Sequence, residues 1–102
     1  MIRHVVMWKF KDEAENRNKS ENLRLAREAL LLLPSKIPGI VSWEVGENVV
    51  EAPESYDLVL IALFDRLESL RIYQTHPAHL NVVEFLRKVR LFRTVVDCVH
   101  QA

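Results

Sequence analysis

Histidines carry most of the chemistry this sequence can offer, and their placement decides which kinds. His79 falls on the apolar stripe of a predicted helix with Val82, Val83, Leu86 and Val89. An imidazole there lies between a sheet and its covering helices, where burial can tune it for proton abstraction near neutral pH. His4 alternates with Ile2, Val6 and Trp8 along a predicted strand. If that side faces the helices, His4 and His79 share one cavity; otherwise each is a core histidine with a satisfied hydrogen bond. His76 and His79 have the i, i+3 spacing that puts two zinc ligands on one face of an unbroken helix. Pro77 interrupts that helix, and nothing demands a third ligand from His4 or Asp57, so no metal is expected. His76 reads as a helix-end residue ahead of proline.

Other chemistries are absent or weakly signalled. The 14 basic and 14 acidic residues cancel to a net charge of zero, which supplies no field to gather nucleic acid or an anionic membrane. Arg87, Lys88, Arg90 and Arg93 cluster near a predicted helix end, where the dipole favours cations and a solvated face explains them. There is no glycine-rich phosphate loop, no Gly-x-Ser-x-Gly elbow and no aromatic RNA-binding motif. Cys98 is the single cysteine, so no intrachain disulfide forms and a reducing, cytoplasmic setting is expected. No apolar run approaches a membrane span, and Met1 leads straight into a strand-like pattern, so a soluble chain is expected.

The 102 residues support one domain over residues 1–102. Alternation over positions 2–10 predicts a first strand. Asp12 and Glu15 have the form of a capping box ahead of Leu23, Ala26, Leu30 and Leu33, predicting a helix that ends near Pro34. Pro38 and Gly39 mark a turn into a strand over Ile40 to Asn48, where Val41, Trp43 and Val45 alternate; Trp43 reads as core or interface. A strand over Tyr56 to Phe64 follows a loop. Asp65 and Glu68 repeat the capping pattern before Leu67, Leu70 and Tyr73, the helix breaks at His76 and Pro77, and a second segment runs to about Arg90. Leu91 to Val99 completes the chain. The order β-α-β-β-α-β predicts an α+β, ferredoxin-like fold: a four-stranded antiparallel sheet with its helices on one face. The strand over Tyr56 to Phe64 is apolar on both sides, so the second sheet face needs a cover, which a homodimer pairing sheet against sheet supplies.

An ordered set of segments carries a family resemblance. It comprises Arg3-His4-Val5-Val6-Met7-Trp8-Lys9-Phe10, Ile37-Pro38-Gly39-Ile40, Gly46-Glu47-Asn48, Tyr56-Asp57-Leu58-Val59 and Tyr73-Gln74-Thr75-His76-Pro77-Ala78-His79. From Ile2 to about His100 the chain resembles the stress-responsive A/B barrel (Dabb) domain. That resemblance implies a ferredoxin-like protomer paired into a dimeric α/β barrel. Many members have no assigned activity, some plant members are associated with stress responses, and one plant member is a cofactor-free cyclase that closes a linear polyketide by aldol condensation. By resemblance to that cyclase, His79 matches the catalytic histidine, Tyr73 the tyrosine that hydrogen-bonds a substrate carbonyl, and His4 a pocket histidine. Val6, Trp8, Val59 and His76 complete a candidate ligand-binding set. Two positions depart from the pattern: Asp57 follows Tyr56 where the cyclase has another histidine, and Trp8 replaces a smaller aliphatic residue. The indole would fill the space of a long alkyl tail.

Two functions are therefore expected to compete. One is a homodimer of unassigned activity with a pocket for a small apolar or carbonyl-containing ligand. The other is a lyase, cyclase or isomerase working on a small carbonyl compound without a cofactor. Related cofactor-free monooxygenases share the topology but usually lack the His-Pro-x-His string.

Overall fold

The computed structural model describes residues 1–101. Strand β1 (Ile2–Phe10) lies inside a four-stranded antiparallel sheet of order β4-β5-β1-β6, with β4 at Ile40–Glu47, β5 at Leu58–Phe64 and β6 at Arg90–Val99. Its alternation sends His4, Val6, Trp8 and Phe10 beneath the helices, while Arg3, Val5, Met7 and Lys9 take the opposite face. Leu58, Leu60, Ala62 and Phe64 of β5 share the helix side with them. Three helices, α1 (Lys19–Leu31), α2 (Leu67–Thr75) and α3 (Pro77–Val89), supply Ala26, Leu30, Leu70, Val82 and Leu86 to the same core. Each fully buried large side chain contributes about 1.5–3 kcal/mol.

The predicted four-stranded sheet forms, yet three local expectations are corrected. Asp12 and Glu15 do not open a helix. Residues 13–18 form a small hairpin of β2 (Glu13–Ala14) and β3 (Arg17–Asn18), with Glu15 and Asn16 at φ 54° and 59° in its two-residue turn. Asn18 is the true cap, its side chain accepting from the Glu21 amide at 2.8 Å. Buried Asn22 ties the hairpin to α1: it donates to the Ala14 carbonyl and accepts from Arg17 Nε. At α2, Arg66 stands at the cap with no side-chain capping bond, because Asp65 accepts from the Ser69 hydroxyl instead. In β4 a register irregularity between Ile40 and Ser42 leaves Val41 exposed, so it does not share the inward face of Trp43.

The break at Pro77 forms as expected. Thr75 ends α2, His76 takes ψ 135°, and Pro77 opens α3. The face of the sheet away from the helices carries Val5, Val59, Ile61 and Leu63, half-buried, with Met7, Phe92 and Val96 more exposed. No helix among the described residues is long and apolar enough to cross a membrane.

Gly39 has φ 84° at the entry to β4, and a Cβ added there would lie 2.5 Å from Ser69 Oγ. Gly39→Ala should therefore lose about 1–3 kcal/mol of stability in chemical denaturation, with an unchanged denaturant slope.

Candidate active site

The interruption at His76 folds the first turn of α3 back against the last turns of α2. The rings of Tyr73 and His79 consequently lie 4.0 Å apart between centroids, tilted by 41°. The Gln74 carbonyl is 3.2 Å from His79 Nδ1 and can only accept, so Nδ1 carries the proton and Nε2 the lone pair. Tyr73 is buried among His4, Trp43 and Phe64, at ring separations of 5.9, 5.7 and 5.2 Å. Trp43 holds its place by donating Nε1–H to the Leu30 carbonyl.

His4 comes to this cluster from β1 and is itself buried. Its Nδ1 lies 2.5 Å from Asp97 Oδ1, on the residue directly opposite in β6. The carboxylate orients the ring and leaves Nε2 as its other polar atom. Sequence inspection missed Asp97. Its signal is a lone acid in a largely apolar strand, which becomes readable only when the β1–β6 register is known.

Burial, acting first, lowers the pKa of His79 below its usual 6.5. The Gln74 carbonyl opposes that shift, and the charges of His4, Arg93 and His76 add to it. Burial drives Tyr73 far above the ordinary phenol range, with Arg93 pulling weakly the other way. At neutral pH a neutral imidazole thus faces a protonated phenol, which is a base beside a hydrogen-bond donor.

His4, Val6, Trp8, Tyr73 and His79 share the wall of one cavity of about 40 Å³, together with Arg90 and Arg93. Small-molecule sites generally span about 300–1,000 Å³, so the cavity has room for no long alkyl tail. Trp8 is buried in its wall. Val59 is not brought to this group: it faces away from the helices and lines a separate open hollow of about 560 Å³ with Met7 and Tyr56. His76 is outside the cavity wall and accepts from the Ala78 amide at 3.1 Å. Asp57 serves the backbone, accepting from the Phe10 amide at 2.7 Å beside Lys19. Among the described residues no cluster of three or more His, Cys, Asp or Glu side chains is arranged to hold a metal ion.

The model of the stress-responsive A/B barrel domain, Dabb, matches residues 2–100. The chain belongs to the Dabb family. An uncharacterised protein of Streptomyces coelicolor is 34% identical over 80 residues, covering 78% of this chain and 79% of the relative. Olivetolic acid cyclase of Cannabis sativa is 24% identical over 86 residues, or 84% and 83% of the two chains. A crystal structure from Bacteroides fragilis, described as a dimeric protein of unknown function with a ferredoxin-like fold, superposes with a TM-score of 0.77. It is 30% identical and the match covers 95% and 93% of the chains. This Dabb chain thus shares its ferredoxin-like protomer with proteins that are dimers.

Because folding lowers the affinity of His79 for a proton, the unfolded chain binds more protons between the two midpoints. Stability therefore rises with pH through that window, and the penalty is absent above about pH 6.5. A ring-proton NMR titration should put the His79 midpoint below 6.5, and His79→Gln should flatten the slope of stability against pH just below 6.5.

Proposed function

We propose that this Dabb protein is a homodimer that binds a small carbonyl compound between sheet and helices and moves a proton on it without a cofactor. The carrying observation is the contact between Tyr73 and His79, in which a neutral imidazole with a free Nε2 lies against a protonated phenol. In this reading His79 Nε2 removes a proton from the carbon beside the carbonyl. The electron pair of the broken C–H bond moves to the carbonyl oxygen, which accepts a hydrogen bond from Tyr73 as enolate charge develops. Return of the proton to a different carbon completes an isomerisation; attack of the enolate carbon on a second carbonyl forms a C–C bond, the His79 proton passes to the new alkoxide oxygen, and the reverse of that aldol step is the lyase reaction. His4, held by Asp97, assists orientation.

The likeness to olivetolic acid cyclase supports this class of chemistry, and the small cavity favours a compact substrate over a long-chain polyketide. Dimerisation is supported by the uncovered apolar face around Ile61 and by the dimeric relative. A cytoplasmic setting fits the lone, exposed Cys98.

Deuterium exchange at the α-carbon of small ketones such as butanone, followed by NMR, tests the chemistry. The protein should accelerate exchange, and His79→Ala should remove about a hundredfold or more of that rate. Tyr73→Phe should slow it less. The rate should rise through an apparent pKa below 6.5 and then level off, as His79 loses its proton. Exchange no faster than in buffer across the panel overturns catalysis and leaves a binding site. Native mass spectrometry should report twice the 11.9 kDa protomer, and Ile61→Glu should shift that population to monomer.

A further inference from the structure

Beside its histidines and Tyr73 the cavity wall carries two cations, Arg90 and Arg93. Arg90 and Arg93 are three residues apart, and a regular strand would send them to opposite faces. A register shift in the β1–β6 ladder changes that: Lys9 pairs with Phe92 and Phe10 with Arg90, leaving Leu91 as the extra residue. Arg90 and Arg93 thereby stand opposite Phe10 and Trp8, both helix-side residues, and both line the cavity that holds His4, Tyr73 and His79. No Asp or Glu lines that cavity. Among the described residues neither arginine is in an ion pair, and Asp97, on the same strand, is engaged by His4. The dipole of α3 accounts for a cation at its cap, Arg90, but not for Arg93 three residues into the strand. Arg93 is exposed and Arg90 half-buried, so the pair marks the solvent end of the cavity, with Tyr73 deeper inside.

We propose that the cavity selects a small carbonyl compound that also carries a carboxylate, with the carboxylate at Arg90 and Arg93 and the carbonyl at Tyr73. This rests on the proton-transfer reading above and names its substrate class. A guanidinium fork matches a carboxylate with paired charge-assisted hydrogen bonds, a recognition that no other cavity residue can supply. The same two charges favour the enolate that His79 generates. The cavity measures about 40 Å³ in the free protomer, so a ligand of acetoacetate's size must widen it or extend from it past exposed Arg93.

Acetoacetate and its uncharged methyl ester form a matched pair of probes for the intact protein, titrated by NMR at the ring protons of Tyr73 and His79. Acetoacetate should bind about tenfold or more tightly than the ester, with a preference that shrinks as salt is raised. Arg93→Gln and Arg90→Gln should each reduce that preference severalfold. Arg87→Gln, which alters an exposed arginine paired with Glu84, is the control and should leave the preference intact. Equal affinity for the two probes, or a preference untouched by Arg93→Gln, overturns the carboxylate assignment while leaving a carbonyl site in place. No shift of either ring with either probe at millimolar concentration overturns the assignment and the carbonyl site together.

Discussion

Pro77 has no amide hydrogen to give a helix, and its ring drives the preceding residue out of the helical region. His76 accordingly takes ψ 135°, and what would have been one long helix becomes two, meeting at an angle. The contact between Tyr73 and His79 depends on that break. The break presses the His79 ring onto Tyr73 and frees the Gln74 carbonyl, near the end of α2, to receive the imidazole N–H. The His76 side chain then satisfies one of the amides exposed at the start of α3.

The sheet supplies the other half of the site through register. Because β1 lies between β5 and β6, its inward residues are covered by helices above and flanked by strands on both sides. The Nδ1 atom of buried His4 finds a partner because the ladder puts Asp97 directly across from it. A single extra residue near the start of β6 then turns Arg90 to the same side as Arg93. Two features of one strand pairing, a match and a slip, determine which charges reach the cavity.

Burial and volume set the chemical character of what results. Desolvation lowers the pKa of His79 and raises that of Tyr73, so a neutral imidazole lies against a protonated phenol at neutral pH. Trp8, buried in the wall of that small cavity, limits the space beside them. On the opposite face, half-buried valine, isoleucine and leucine side chains await a cover of similar character.

Hydrophobic periodicity was enough to read the main strands, the break at Pro77 and the inward stripe of His79, Val82 and Leu86, because these follow from local spacing and from proline's missing donor. His4, Tyr73 and His79 were legible as a set, as was the crowding by Trp8. Local pattern misled at Asp12 and Glu15, where two left-handed residues and the tie from Asn22 favour a hairpin over an early helix start. Val59 could not be assigned to a cavity from alternation alone, since a strand apolar on both sides gives no sign of which side the helices cover. Asp97, Arg90 and Arg93 were hidden for a related reason. Their roles depend on which residue of a distant strand stands opposite them, and that is decided by long-range pairing and one bulge, information no local window of sequence contains.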